Sequence, residues 1–464
     1  MILEGVLRKD NASNVQKTFA LSLAGIMSTA INVVLQMLLA RYCSTYEIAI
    51  YMQSILIYTT LVPMLQLGIS NGLYYVLVHN KNNELEILTE GICITFASTS
   101  VFALFIILGG SDLLAILFNN DGVGKTSFWL VPYFLFCIPE SIVMVGFVYY
   151  ERLRFVAYYN TLKSLILVIV LIVTVMIRND GYILFASRVI VSSFFSFIAL
   201  IFLYRYIIPF GKINFTIKNI KNILKISLPL SIASITGILS SNLDKILVSN
   251  MLSTDEYVVF QMGAYEIPII GIITNAVSTV MIVEMTNSIK KGDVLQAMVL
   301  FRNIVKKTSF FLMPIMVFFF FAAKNVICFL FTEAYLGAVP VFLTYLFYIP
   351  IRCVQYGPMI VAFGKSKIIM YREFASLIIN ILLSVILMKL LGIIGVAIAT
   401  VLISYIIGLA YNLYSLSKWT KVSCKDILPI FDMFIYFLLS LPGGIISWIV
   451  CENMFYKNYL HLNY

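Results

Sequence analysis

Apolar runs of about 17 to 30 residues recur along the whole chain, and each is long enough to cross a bilayer core as a helix, which takes roughly 20 residues. Thirteen such runs are present, at 19–40, 48–78, 91–108, 128–150, 161–177, 182–204, 226–250, 257–285, 308–331, 338–363, 374–391, 393–416 and 427–451. Only 12% of the residues are charged and 61% are hydrophobic, against about one quarter charged in an ordinary soluble domain. The chain therefore reads as an all-α polytopic membrane protein.

Lysine and arginine positions orient it, because loops rich in these residues are preferentially retained on the cytoplasmic side. With the N-terminus inside, cytoplasmic segments carry 22 basic residues and the opposite side carries five: Arg41, Lys125, Arg178, Lys389 and Lys457. The first run follows Arg8, Lys9 and Lys17, is too long for a signal-peptide core and lacks a small-residue cleavage site, so it reads as a retained span. The net charge of +10 is then a topological signal facing anionic lipid headgroups and calls for no nucleic-acid partner. The seven cysteines form no C-x-x-C pair, and His79 and His461 stand alone, so no metal or redox cofactor is expected.

A repeat lies within the hydropathy. Ser44-Thr45-Tyr46-Glu47 with Tyr51 is matched by Ser253-Thr254-Asp255-Glu256 with Phe260, at an offset of 209. Phe136-x-Ile138-Pro139, then Val143 and Gly146, is matched by Phe347-x-Ile349-Pro350, then Val354 and Gly357, at an offset of 211. Tyr159 and Ser164-Leu165-Ile166 pair with Tyr371 and Ser376-Leu377-Ile378, and Gly181, Ala186 and Ser193 with Gly392, Ala397 and Ser404. Two six-helix halves are thus expected, residues 1–204 and 226–418, each beginning in the cytoplasm, with the binding site between them. Residues 205–225 join the halves. There Ile217, Ile220 and Leu224 recur at helical spacing against Lys218, Lys221 and Lys225, the pattern of an interfacial amphipathic helix and also of a plain lysine-rich loop. Residues 419–464 add a segment interrupted by Pro442-Gly443-Gly444, which fits one further span or a re-entrant stretch.

Ionisable residues inside a membrane are costly and mark cavities or partners. Glu140 in the fourth run and Arg352 in the tenth lie near mid-membrane, one position apart in the repeat alignment. Asp244-Lys245, Glu266 and Arg188 sit farther outward. Arg352, Lys245 and Arg188 are candidate contacts for an anionic headgroup; Glu140, Asp244 and Glu266 are candidate sites for a coupling H+ or Na+, or charge partners. The same residues also fit internal ion pairs that fix helix packing, such as Glu140 with Arg352. Lys163, Glu151 and Glu284 are placed near the cytoplasmic ends, where long side chains snorkel.

Enzymatic readings fare poorly. Gly364-Lys365-Ser366 ends like a phosphate-binding loop, but the preceding Gly357 is seven positions away where that motif needs five. Polymerases and ligases acting on lipid-linked sugars need a sizeable external site, and the longest external loop, 109–127, offers only Asp112 and Asp121.

Leu228-Pro229-Leu230, Asp244-Lys245, Leu330-Phe331 with Tyr335 and Ala338, and Gly392-x-x-Gly395-Val396-Ala397-x-Ala399-Thr400 together resemble the polysaccharide transporters and O-antigen flippases. These belong to the multidrug/oligosaccharidyl-lipid/polysaccharide exporter (MOP) superfamily. The resemblance implies a V-shaped, MATE-like pair of six-helix bundles with one or two extra C-terminal helices, in a bacterial inner membrane. It implies export of an undecaprenyl-diphosphate-linked oligosaccharide by alternating access, with polysaccharide assembly proteins as partners. The rivals are a multidrug extruder, which for cationic cargo should line its site with carboxylates and aromatics, and a peptidoglycan-precursor flippase, which should carry cations.

Overall fold

The computed structural model describes residues 25, 29, 30, 32–79, 83–207 and 215–462, and among them every regular element is helical. Arg8, Lys9, Lys17 and the opening of the first apolar run, 19–24, lie outside the described residues; helix α1 (32–42) is the end of that run. Eleven described helices are long and apolar enough to cross a membrane, or twelve if one bent pair is a single span. These correspond to the twelve remaining runs.

The helices of the first unit are α2 (Thr45–His79), α3 (Glu84–Leu117), α4 (Asp121–Tyr149), α5 (Leu153–Ile177) and α6 (Gly181–Arg205). Helix α7 (Ile217–Met251) follows, then the short α8 (Thr254–Gly263) and α9 (Pro268–Lys290), α10 (Val294–Phe331), the bent pair α11 (Glu333–Leu346) and α12 (Ile349–Ala362), α13 (Ser366–Leu391), α14 (Ile393–Thr420) and α15 (Ile430–Leu462).

The chain divides into two compact units, Met1–Asn242 with Ser249–Asp255, and Leu243–Val248 with Glu256–Tyr464. Residues from Ile217 onward are the opening turns of α7, and Ile223 is buried in an apolar core of the first unit with Leu73, Leu88, Ile142 and Phe147. Of the amphipathic pattern itself, Ile217 is exposed and Ile220 and Leu224 are half-buried. Close approach of α7 to α2 depends on two glycines: Gly68 has φ +67°, and a Cβ on Gly72 would stand 3.1 Å from Ser227 Cα.

The repeat motifs begin equivalent elements. Ser44 caps α2, its hydroxyl accepting from Glu47 N–H at 3.3 Å, and Thr254 opens α8. The two copies also meet, Thr45 Oγ1 donating to Asp255. The Phe-x-Ile-Pro matches diverge: α4 runs unbroken through Pro132 and Pro139, whereas α11 and α12 bend by 40° just before Pro350. Helix α12 breaks again at Val354–Gln355, where the Gln355 amide bonds Thr274 O of α9 at 2.7 Å and accepts from Ser278. At the C-terminus, α15 passes through Pro442-Gly443-Gly444 as a single helix, so the last apolar run is one span and not a re-entrant segment.

Candidate functional site

The first unit holds a cavity of about 600 Å3 whose polar lining includes Tyr58, Gln66, Tyr133, Glu140, Asn160, Lys163, Arg188 and Ser192. That volume lies within the range of ordinary ligand pockets, about 300–1,000 Å3.

Its carboxylate and lysine come from the α4–α5 hairpin. The corner is Glu151, held at φ 58° by Tyr150 N–H to Gly146 O and Arg152 N–H to Phe147 O. Tyr149 and Tyr150 donate to the Glu84 carboxylate at 2.5 and 2.7 Å, and burial with that carboxylate holds the Tyr150 phenol above the usual tyrosine range. Two antiparallel helices joined so tightly bring residues equidistant from the corner side by side. Glu140 is eleven residues before Glu151 and Lys163 twelve after it. At 1.5 Å per residue both stand about 17 Å from the corner, deep in the span. Lys163 therefore does not snorkel at a cytoplasmic end, as its position in the fifth run suggested.

Lys163 Nζ lies 2.7 and 2.6 Å from the two oxygens of Glu140. Tyr159, one turn before Lys163 on α5, donates to Oε1 at 2.7 Å, and Ser196 of α6 lies 2.5 Å from Oε2. Glu140 is thus paired with Lys163 and not with Arg352.

Arg188 of α6 has different company. Its Nη1 donates to Tyr51 OH at 3.0 Å and its Nε to Tyr133 OH at 3.2 Å, while the Tyr58 ring stacks on Tyr133 with centroids 3.8 Å apart. Among the described residues no carboxylate lies within ion-pair distance of Arg188. Two of its five N–H donors are engaged by hydroxyls, and the charge faces the cavity. With Lys163 and Glu140 ionised, the lining is net positive.

The other four candidates lie in the second unit. Asp244 is buried, accepts from Tyr345 OH at 2.5 Å and from Thr400 Oγ1 at 2.7 Å, and Asn380 and Ser384 extend the network. One carboxylate among neutral oxygens is a hard donor set, suited to a proton or a monovalent cation rather than a soft transition metal. Among the described residues no three His, Cys, Asp or Glu side chains gather as metal ligands. Lys245 sits within electrostatic reach of Asp244 and Glu266. Arg352 pairs with Glu266 at 2.9 Å and lies over the Tyr348 ring, with 38% and 62% of the two side chains exposed.

A family model described as "Polysaccharide biosynthesis protein" matches residues 55–340, more than half of the chain. The chain belongs to this polysaccharide biosynthesis family. Comparison with curated protein sequences gives no significant match. Among solved structures, this polysaccharide biosynthesis protein is similar to the lipid II flippase MurJ in an inward closed conformation, at 19% identity, covering 95% of this chain and 99% of that one, with a TM-score of 0.72. It is also similar to an inward-facing MATE-family multidrug resistance transporter of the MOP superfamily: 12% identity, 85% and 96% coverage, TM-score 0.65. A third likeness is to a MOP transporter from Pyrococcus furiosus reported with a binding pocket of reversed polarity: 13% identity, 90% and 98% coverage, TM-score 0.57. At such identities the likeness establishes the fold. The family member is a multi-pass membrane protein whose fold is the one shared by the MurJ and MATE structures.

Sequence reasoning missed the residues that complete these clusters. Lys163 was recoverable from the hairpin count. Tyr51 was singled out only as part of the repeat, while Tyr58, Tyr133, Asn380 and Ser384 lie among apolar helical neighbours and carry no local signal.

Proposed function

We propose that this protein is a flippase that carries an undecaprenyl-diphosphate-linked oligosaccharide, a repeat unit of O-antigen or another surface polysaccharide, across the bacterial inner membrane by alternating access, its N-terminus in the cytoplasm. The observation that carries the reading is Arg188: a cation held by tyrosine hydroxyls, facing a polar cavity, in a member of a polysaccharide biosynthesis family. A diphosphate supplies the missing anion, and the hydroxyl, amide and aromatic groups around it suit sugars. Lys245 and Arg352 are assigned as further contacts for anionic cargo. Asp244, with Thr400, Asn380 and Tyr345, is assigned as the coupling-ion site for H+ or Na+, and Glu266 as the charge partner of Arg352. A cationic drug is disfavoured because it would meet Arg188 with no adjacent carboxylate to offset it.

Purified protein in vesicles tests this directly. Relocation of an undecaprenyl-diphosphate-linked saccharide between leaflets is expected, together with reduced polysaccharide export in Arg352→Ala cells at equal protein level. Joining or transfer of sugar units would overturn the transport reading. Movement of lipophilic cations but not of the lipid-linked saccharide would make it a drug extruder, and selective movement of the peptidoglycan precursor would change the cargo.

A further inference from the structure

The Glu140–Lys163 pair lines the cavity of the first unit. Its lysine is the more accessible partner, 20% exposed against 9% for the carboxylate, so a headgroup in the cavity meets Lys163 first. The carboxylate in turn has a ready place for a proton. Ser196 Oγ lies 2.5 Å from Glu140 Oε2 and 2.8 Å from the Ser192 carbonyl oxygen, yet a hydroxyl has a single proton to donate. When that proton points to Ser192, the Ser196 oxygen is free to accept one from a neutral Glu140, with no heavy atom displaced. Ionisable groups around Glu140 are Tyr58 from α2, Cys137 from α4, Tyr159 and Lys163 from α5 and Arg188 from α6. Lys163 is the cation in direct contact, and its loss to a competitor leaves a carboxylate buried in the membrane interior, a state that protonation relieves.

We propose that the anionic headgroup takes Lys163 from Glu140 and that Glu140 binds a proton in exchange, so that cargo entry loads a proton into the first unit. Lys163 keeps its own charge throughout, and its ion pair passes from carboxylate to phosphate. The proton comes from water on the side to which the cavity is open and returns there, or to the opposite side, when the headgroup leaves and the pair re-forms. The inference rests on the reading of the cargo as a lipid-linked diphosphate.

Calorimetric titration of the detergent-purified protein with a short-chain diphosphate diester, geranyl-diphosphate-linked N-acetylglucosamine, tests it. The diester has no ionisation of its own near neutral pH. Repeating the titration in buffers with different ionisation heats therefore counts protons taken up by protein. Wild type is expected to take up about one proton per diester bound, and Glu140→Gln none, while binding as tightly or more tightly. Lys163→Gln should bind at least about tenfold more weakly, the loss of one charged contact. Ser196→Ala removes the hydroxyl that donates to the ionised carboxylate and should shift the uptake to higher pH, a readout that stands even if the Glu140 variant fails to fold. Equal proton counts in wild type and Glu140→Gln, or an unshifted pH profile in Ser196→Ala, would overturn the exchange while leaving the cargo reading intact. A diester that fails to bind wild type, or binds Arg188→Gln equally well, would overturn the cargo reading and the exchange with it.

Discussion

Replacing Arg188 by glutamine probes the cargo contact most sharply. The guanidinium spends its Nε and one Nη1 donor on Tyr133 and Tyr51, which leaves three of its five N–H groups for a ligand. A phosphate gripped by two of these makes two charge-assisted hydrogen bonds, each worth about 1.5–3 kcal/mol. Glutamine keeps the size and one amide donor, so the loss should be about 2–4 kcal/mol, a weakening of about 30- to 700-fold. Lysine keeps the charge but not the planar fork and should fall between, near tenfold. Tyr51→Phe and Tyr133→Phe release the guanidinium without removing it, for about 1 kcal/mol or fivefold each. The assay is displacement of a labelled diphosphate diester, with a neutral polyprenol-linked saccharide as the control ligand. If Arg188→Gln weakens the neutral ligand as much as the diester, the residue only supports the fold of the cavity. If neither weakens, the anion is held elsewhere.

Three further outcomes follow from the geometry. Asp244→Asn and Thr400→Val should each remove the sodium or proton dependence of transport in vesicles, because they delete the carboxylate of that oxygen cluster or one of the two hydroxyls bonded to it; an unchanged ion dependence would move coupling away from it. Gly72→Ala should cost about 1–3 kcal/mol by overpacking, since the added carbon meets Ser227 Cα and Cβ at 3.1 and 3.2 Å. Thermal unfolding should show that loss partly relieved by Ser227→Ala, because the buried Ser227 hydroxyl has no hydrogen-bond partner. Glu266→Gln should change stability by less than about 1 kcal/mol, as expected of a solvated pair, so a large melting shift would mean the Arg352 pair is structural.

The spans were legible because a bilayer fixes the length of anything that crosses it, and so were the equivalent starts of α2 at Thr45 and α8 at Thr254. Charge partners were not. Glu140 and Arg352 align in the repeat, yet each found its counter-ion within its own unit, Lys163 and Glu266, because pairing depends on which helices adjoin and not on register in the duplication. The same Phe-x-Ile-Pro motif gave a continuous helix once and a bent pair once. Proline removes a donor in both places; the second copy bends just before Pro350 and breaks again at Val354–Gln355, where the Gln355 side chain finds substitute partners on α9. The lysines at the start of α7 resemble a linker in composition, while the burial of Ile223 against the first unit has no such marker.

The hairpin that unites Glu140 and Lys163 also sets a timetable for biosynthesis. A charged side chain alone at the centre of a helix costs about 2.5–3.5 kcal/mol on insertion, and Lys163 emerges 23 residues after Glu140. At about 5–20 residues per second the acidic helix waits roughly one to five seconds for its counter-ion. Helices α4 and α5 therefore enter lipid most cheaply as a pair, delivered to the bilayer together, and loss of the lysine would be felt at the translocon before it is felt by any cargo.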